Sequence, residues 1–157
     1  MASRRRGPLR AYRIADGRKP IFDGSGAALY GGRWNSPGRR VIYAAETYAG
    51  ALIEKLVHTN IGRLPKHQKY IELFVPKDVA IEEIDPGEVV GWDAADLIAS
   101  RSFGDQWYDS ERSAVLLVPS VVSRIERNVI INQEHRDFRK IRAGEPKPVI
   151  WDERLFK

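Results

Sequence analysis

The sequence predicts one domain of the mixed α/β (α+β) class, with a core made mostly of β-sheet. The chain has 157 residues, a length that suits a single domain. Hydrophobic residues make up 43% of it, close to the globular average. Short apolar runs between turn-forming residues indicate several strands, and only two segments have a helical pattern.

The first third of the chain is predicted to hold two short strands separated by a long loop. Residues 11–14 predict the first strand and residues 41–44 the second. The loop between them is rich in Gly, Asn, Asp and Ser, which form turns and let the backbone approach a ligand closely. A loop of this length in a compact domain is commonly functional, so we expect it to contribute to a site.

Residues 46–58 predict the first helix. At 100° per residue its apolar side chains share one face, which we expect to pack on the core. This face comprises Tyr48, Ala49, Leu52, Ile53 and Leu56. Glu54 falls away from that face, on the polar side of the helix.

The remaining two thirds are predicted to be mainly strands. Residues 70–75, 128–132 and 148–151 predict strands, and the region around residues 94–102 predicts a second helix. Residues 114–118 are continuously apolar and are followed by Pro119, as in a strand buried on both faces.

Charge is concentrated at the N-terminus. Lys and Arg number 26 and Asp and Glu number 21, which gives a net charge of +5. Because Arg4, Arg5 and Arg6 lie in the first nine residues, we expect residues 1–9 to be a basic flexible tail and residues 10–157 to be the domain. No apolar stretch follows the Arg run as in a signal peptide, so we expect a cytoplasmic protein that does not cross a membrane.

Several classes of site are excluded or disfavoured by the sequence. There is no cysteine, so disulfides and thiolate metal sites are ruled out. There is no phosphate-binding G-x-x-x-x-G-K-[ST] loop, no dinucleotide G-x-G-x-x-G motif and no G-x-S-x-G elbow. The three histidines lack metal-ligand spacing, so we expect no metal.

Four polar residues stand out, each with an ordinary structural explanation. Arg33, in a glycine-rich loop, suits a phosphate or carboxylate, yet it fits a surface turn as well. Tyr43 ends a strand before a helix, a common site position, and also fits half-buried sheet packing. Glu54 fits a solvated helix carboxylate, and Ser120 fits a cap on the turn after its strand. None of the four establishes a function alone.

Their order along the chain resembles the RES domain family. The resemblance rests on Gly31-Gly32-Arg33-Trp34-Asn35, on Tyr43 and Glu54, on Val118-Pro119-Ser120, and on the strand at 128–132. It runs from about Arg10 to about Asp137. The Arg, Glu and Ser that give the family its name map to Arg33, Glu54 and Ser120. One difference is Asn132-Gln133, where the family usually has Asn-Pro.

The resemblance implies a bacterial toxin with a fold similar to ADP-ribosyltransferases: a mostly antiparallel central sheet with flanking helices. It implies cleavage of NAD⁺ at the nicotinamide–ribose bond, with ADP-ribose passing to a protein, water or phosphate. It also implies an Xre-type helix-turn-helix antitoxin as partner, so no direct contact with nucleic acid is expected.

The site roles follow from the resemblance and the residue types. Glu54 would stabilise the positive charge that develops on the ribose, and Tyr43 would stack on nicotinamide. Arg33, assisted by Arg13, would grip the pyrophosphate or ribose, and Ser120 would orient Glu54 or the substrate.

The sequence also allows two other functions. The basic charge with interleaved Trp and Tyr also suits a nucleic-acid-binding or RNA-cleaving protein, although no RNA-binding motif is present. A third possibility is a non-catalytic module that only binds an antitoxin.

Overall fold

A single sheet carries the fold, and its strands are mostly antiparallel. The structure is a computed structural model that describes residues 3–59 and 63–157. Within them the strands are β1 (Ser3–Arg6), β2 (Leu9–Asp16), β3 (Val41–Ala45), β4 (Gln68–Val75), β5 (Ala80–Glu83), β6 (Val115–Pro119), β7 (Arg127–Asn132), β8 (Arg142–Ala143) and β9 (Lys147–Pro148). Their order is β1-β5-β6-β7-β3-β2-β4-β8, with β9 also paired to β4. Only the β5–β6 pair is parallel, so the predicted fold class is confirmed.

Three helices accompany the sheet in the described residues: α1 (Ser25–Tyr30), α2 (Tyr48–His58) and α3 (Ile98–Ser110). Short 3₁₀ turns occupy Pro86–Glu88, Arg136–Lys140 and Glu153–Phe156. No helix of the described residues has the length and apolar character needed to cross a membrane.

Both long helices lie on the same face of the sheet. Trp107 of α3 packs with Leu116 and Ile130, and Ala51 of α2 packs with Ala45. Directly opposed residues of antiparallel strands point to the same side, and residues two apart along a strand share that side. Since Leu116 faces Ile130 and Ile130 faces Tyr43, two positions from Ala45, these contacts lie on one surface. The opposite face is covered by loops that carry Ile21, Phe22 and Phe138.

The central strands agree with the sequence predictions. Every residue of β6 is buried, as expected for a strand covered on both faces. Its neighbour β7 is buried from Val129 to Asn132. Strands β3 and β4 also occur where apolar runs predicted them.

Several elements differ from the predictions. The predicted flexible tail contains β1, which pairs with β5 at the edge of the sheet, because backbone hydrogen bonds order this segment although all four side chains are exposed. The predicted loop contains α1, and β5 was not predicted. The second helix starts at Ile98 instead of residue 94, after Leu97 in the left-handed region (φ 63°). The last predicted strand is reduced to Lys147–Pro148.

The buried face of α2 is shifted from the predicted one. Of the predicted residues, Tyr48 and Leu52 pack on the core and Leu56 is half-buried. Gly50 and Ala51 are buried, whereas Ala49 and Ile53 are exposed. Small residues let the helix backbone come close to the sheet: a Cβ on Gly50 would lie 3.4 Å from that of Ala45. Glu54, one turn after Gly50, therefore faces inward and is half-buried.

Candidate active site

Glu54 is held by two strands that lie under α2. Its Oε1 accepts hydrogen bonds from Ser120 Oγ at 2.8 Å and from Asn128 Nδ2 at 3.0 Å. Ser120 follows β6 and Asn128 is the second residue of β7, where it pairs with Val118. The end of one strand and the start of its neighbour thus place two donors beside one carboxylate oxygen.

The hydroxyl of Ser120 makes two hydrogen bonds. It donates to Glu54 and also accepts from the backbone N–H of Ser123 at 3.0 Å, which closes the turn after β6. The side chain is 2% exposed. A single oxygen therefore links the conformation of the turn to the position of Glu54.

The glycine-rich loop is fastened to the segment before α3 and to α3 itself. Arg33 Nη1 donates to the carbonyls of Trp92 (3.1 Å) and Ala94 (3.0 Å), and its own carbonyl accepts from Ser100 Oγ (2.7 Å). Arg101 Nε donates to the carbonyl of Gly32 at 2.8 Å. In the described ranges, no hydrogen bond uses Nε or Nη2 of Arg33. The guanidinium is therefore anchored at one nitrogen and keeps further donors for a ligand.

Trp34 and Gly104 set the distance between the loop and α3. Trp34 is 3% exposed and its ring stacks on that of Trp92, with centroids 6.4 Å apart. Gly104 lies directly against the Trp34 backbone, where a Cβ would be 2.7 Å from the carbonyl carbon. Only glycine permits this approach, which brings the Arg33 backbone close to α3.

Tyr43 fixes the loop from the side of the sheet. Its hydroxyl donates to Asn35 Oδ1 (2.7 Å) and accepts from the Trp34 N–H (3.0 Å). Burial raises the pKa of the phenol well above its usual value, so the hydroxyl remains a neutral donor. Gly32 packs against the ring, where a Cβ would be 2.6 Å from the hydroxyl oxygen. Stacking of Tyr43 on nicotinamide stays a prediction.

Arg13 supports the same strand from β2. Its Nη1 donates to the carbonyl of Tyr43 at 2.8 Å and its Nε to that of Ile21 at 2.7 Å. Burial lowers the pKa of the guanidinium, with partial compensation from Asp23. Burial and then repulsion from Arg13 lower the pKa of the Lys55 ammonium. The two partly desolvated cations, Arg13 and Lys55, thus interact with each other.

Two clusters of side chains share one face of the sheet. The Glu54 cluster consists of Glu54 and its two donors, Ser120 and Asn128, and the Tyr43 cluster consists of Tyr43 and Asn35. Asn128 pairs with Ala45, and Tyr43 pairs with Ile130, two residues further along β7. Asn128 and Tyr43 are therefore diagonal neighbours on adjacent strands, with a spacing of about 7–8 Å. No hydrogen bond joins the two clusters directly in the described residues. Both clusters therefore lie on the face of the sheet against which α2 and α3 pack.

The difference at Asn132-Gln133 has a structural use. The backbone N–H of Gln133 donates to the Arg40 carbonyl at 3.1 Å, a bond that proline could not make. Its side-chain carbonyl accepts from the Gly24 N–H at 2.7 Å. Gln133 therefore ties the end of β7 to the long loop.

Two residues that hydrogen-bond to the candidate site residues were not predicted. Asn128 and Asn35 are polar residues in apolar or glycine-rich surroundings, which gives no periodic pattern. Within the described residues, no group of three His, Asp or Glu side chains could hold a metal.

The arrangement offers a carboxylate held by two hydrogen bonds, a group that can stabilise a positive charge. It also offers the Arg33 guanidinium with unused donors, which can bind an anion. Residues 10–152 match the RES domain family. A protein of Sphingobium sp. (strain YBL2), called Prs ADP-ribosylating toxin, is 42% identical over 140 residues, 87% of each chain.

Further relatives agree with this match. A protein of Photorhabdus laumondii subsp. laumondii called Toxin Res is 33% identical over 123 residues, 76% of this chain and 77% of that one. The solved structure of the M. tuberculosis MbcT–MbcA toxin–antitoxin complex contains a chain with the same fold. Its TM-score is 0.73 at 16% identity, covering 92% of this chain and 85% of that one.

The chain belongs to the RES domain family. The prediction of an ADP-ribosylating toxin that consumes NAD⁺ is confirmed by these homologues, and it is favoured over the nucleic-acid alternative. The roles of individual site residues remain predictions.

Proposed function

We propose that this protein binds NAD⁺ over the sheet face between α2 and α3, breaks the nicotinamide–ribose bond at Glu54, and transfers ADP-ribose to a protein. One observation supports the proposal most strongly. The carboxylate of Glu54 is fixed by Ser120 and Asn128 on the same face as Tyr43 and the Arg33 loop.

Bond cleavage needs charge stabilisation more than proton transfer. The C1′–N bond breaks with its electron pair moving to the nicotinamide nitrogen, so a cationic ring leaves as a neutral molecule. The ribose is left with oxocarbenium character, as in glycoside hydrolysis. In this proposal the negative charge of Glu54 lowers the energy of that cation. The acceptor then bonds to C1′ and loses its proton.

The other residues bind and orient the dinucleotide in this proposal. Arg33, with free donors on its guanidinium, grips a phosphate or the adjoining ribose, and Arg13 adds positive charge from β2. Tyr43 stacks on the nicotinamide ring while its hydroxyl keeps the loop in place. Ser120 orients Glu54. Residues 23–38 cover part of the bound substrate.

We propose a protein as the acceptor, and Prs as that protein. The support is the name of the Sphingobium relative, Prs ADP-ribosylating toxin, at 42% identity over 87% of the chain. We further propose an antitoxin partner of the Xre type. The similarity of fold to a toxin from a toxin–antitoxin complex supports an antitoxin, and the family resemblance supports its type.

The catalytic role of Glu54 is tested by Glu54→Gln, which keeps the shape and removes the charge. We expect nicotinamide release from NAD⁺ to fall by about 100-fold or more, because an electrostatic contact at the reacting centre is lost. Glu145→Gln, which removes a charge from an exposed loop, is the matched control and should be fully active. A Glu54→Gln protein as active as wild type would refute the role.

Substrate binding is tested by Arg33→Ala with calorimetry. We expect the Kd for NAD⁺ to rise by about 10-fold or more, since a charge-assisted hydrogen bond to the substrate is removed. Unchanged affinity would exclude Arg33 from the binding site.

The acceptor is tested with labelled NAD⁺, wild-type protein and purified Prs. Label on Prs supports the proposed transfer. Label recovered only as free ADP-ribose, with Prs present, would show that water is the acceptor.

A further inference from the structure

Both donors to Glu54 bind the same carboxylate oxygen. Ser120 Oγ and Asn128 Nδ2 approach Oε1 at 2.8 and 3.0 Å. Across the residues that the structure describes, no group donates to Oε2. We propose that Asn128 is a positioning residue that holds Oε1 and thereby presents Oε2 to the ribose. This inference rests on the catalytic role proposed above for Glu54.

Asn128 can hold the Glu54 carboxylate in a fixed position because it lies on a central strand of the sheet. It is the second residue of β7, hydrogen-bonded between β6 and β3, with Val118 and Ala45 as its paired neighbours. Glu54 lies on α2, a separate element with a long and rotatable side chain. The amide therefore links the reactive carboxylate to the rigid centre of the sheet and adds no charge of its own.

Ser120 cannot be used alone to test this arrangement. It accepts from Ser123 N–H, and Ser123 Oγ donates to Glu126 Oε2 at 3.0 Å. Glu126 also accepts from Thr47 Oγ1, which caps the first turn of α2. Removal of the serine hydroxyl would disturb the turn and the helix together. The side chain of Asn128 hydrogen-bonds only to Glu54 within the described residues, so its effect is easier to isolate.

Asn128→Asp makes a specific prediction about pH. The substitution keeps the shape but places a second carboxylate against Oε1, and two carboxylates at one site repel until they share a proton. We expect kcat for nicotinamide release to fall about 100-fold at pH 8, as for a displaced reacting group. As the pH falls to 5.5, the new carboxyl group gains a proton and donates to Oε1. Activity relative to wild type should then recover at least about 10-fold.

Two further variants separate positioning from general damage. Asn128→Ala removes the donor without adding charge, and we expect a lower kcat with KM for NAD⁺ within about threefold of wild type. Gln106→Glu makes the same exchange of amide for carboxyl at an exposed position of α3. That variant should show no recovery of relative activity at low pH.

The outcomes are distinct for the two proposals. Acid recovery by Asn128→Asp together with a kcat loss by Asn128→Ala supports the positioning role. A pH profile of Asn128→Asp parallel to wild type, or an Asn128→Ala effect on KM alone, would overturn it while leaving NAD⁺ cleavage intact. If wild type releases no nicotinamide, both proposals are overturned.

Discussion

Gly104→Ala should damage the site from a distance, because Gly104 sets how closely the Arg33 loop approaches α3. The new Cβ would lie 2.7 Å from the Trp34 carbonyl carbon, 0.7 Å short of the 3.4 Å at which ordinary contact begins, and closer still to the carbonyl oxygen. The loop must therefore move by about 0.7 Å or more. Two hydrogen bonds that hold the loop would become longer as it moves: the bond from Ser100 Oγ to the Arg33 carbonyl and the bond from Arg101 Nε to the Gly32 carbonyl.

The sign of the stability change is set by comparing two effects. Ala is better than Gly inside a helix by up to about 1 kcal/mol, which favours the variant. Overpacking a tight contact costs about 1–3 kcal/mol, and here the obstructing atoms are backbone, which yields least. We expect a net loss of about 1–2 kcal/mol, or a Tm lower by about 3–6 °C for a chain of this size.

Activity should fall more steeply than stability. A displacement of about 1 Å at a binding group costs as much as 100-fold in rate, so we expect kcat/KM for NAD⁺ to fall about 10- to 100-fold at 25 °C. The assays are nicotinamide release and thermal unfolding. Gly87→Ala in the 3₁₀ turn Pro86–Glu88 is the control, since Gly87 is exposed, a Cβ there meets nothing within 4 Å, and both values should stay near wild type. A Gly104→Ala protein with wild-type Tm and kcat/KM would show that this contact does not position Arg33.

Three other results are expected. Tyr43→Phe leaves the Trp34 N–H and the side-chain Oδ1 of buried Asn35 without their partner. Urea unfolding should therefore show a loss of about 1–3 kcal/mol, and calorimetry a weaker affinity for NAD⁺; unchanged values would contradict the role of this contact. Because burial raises the pKa of Tyr43, wild type should lose stability as pH rises above about 10, the value in the unfolded chain, and Tyr43→Phe should lack that part of the loss. Arg112→Ala should destabilise by about 1–3 kcal/mol, since Glu82 is 5% exposed and loses its partner, and Glu82→Gln in the same chain should restore part of it.

The sequence predicted the fold well where a buried strand is marked by an unmistakable pattern of apolar residues. Residues 114–118 are apolar without interruption because β6 has the sheet on both sides and layers on both faces. The same reasoning fails for β5, where Glu82 interrupts the apolar pattern and is buried only because Arg112 neutralises it at 3.1 Å. Partners 30 residues apart cannot be identified from local periodicity.

The α2 face was predicted only in part, because the prediction used hydrophobicity and ignored side-chain size. Tyr48 and Leu52 pack on the core as predicted, whereas Ala49 is exposed. Ile53 is 38% exposed while Gly50 is buried, since close approach to the sheet needs the smallest side chain. In α1, the large side chains Leu29 and Tyr30 are 67% and 76% exposed, so no apolar stripe marks the helix. Helical periodicity detects a helix that buries large side chains along one face. Helix α1 has no buried residue, and the buried residues of α2 are the small Gly50 and Ala51.

Some residues of the candidate site could be predicted from the sequence, whereas others are brought to it only by the fold. Arg33, Tyr43 and Glu54 lie in segments with a recognisable order along the chain. Asn128 follows Glu54 by 74 positions and meets it only because β7 pairs with β6 and β3 beneath α2. The two hydrogen bonds to Oε1 of Glu54 therefore depend on strand register, and so on the packing of the whole sheet, rather than on the residues next to Glu54 in the sequence.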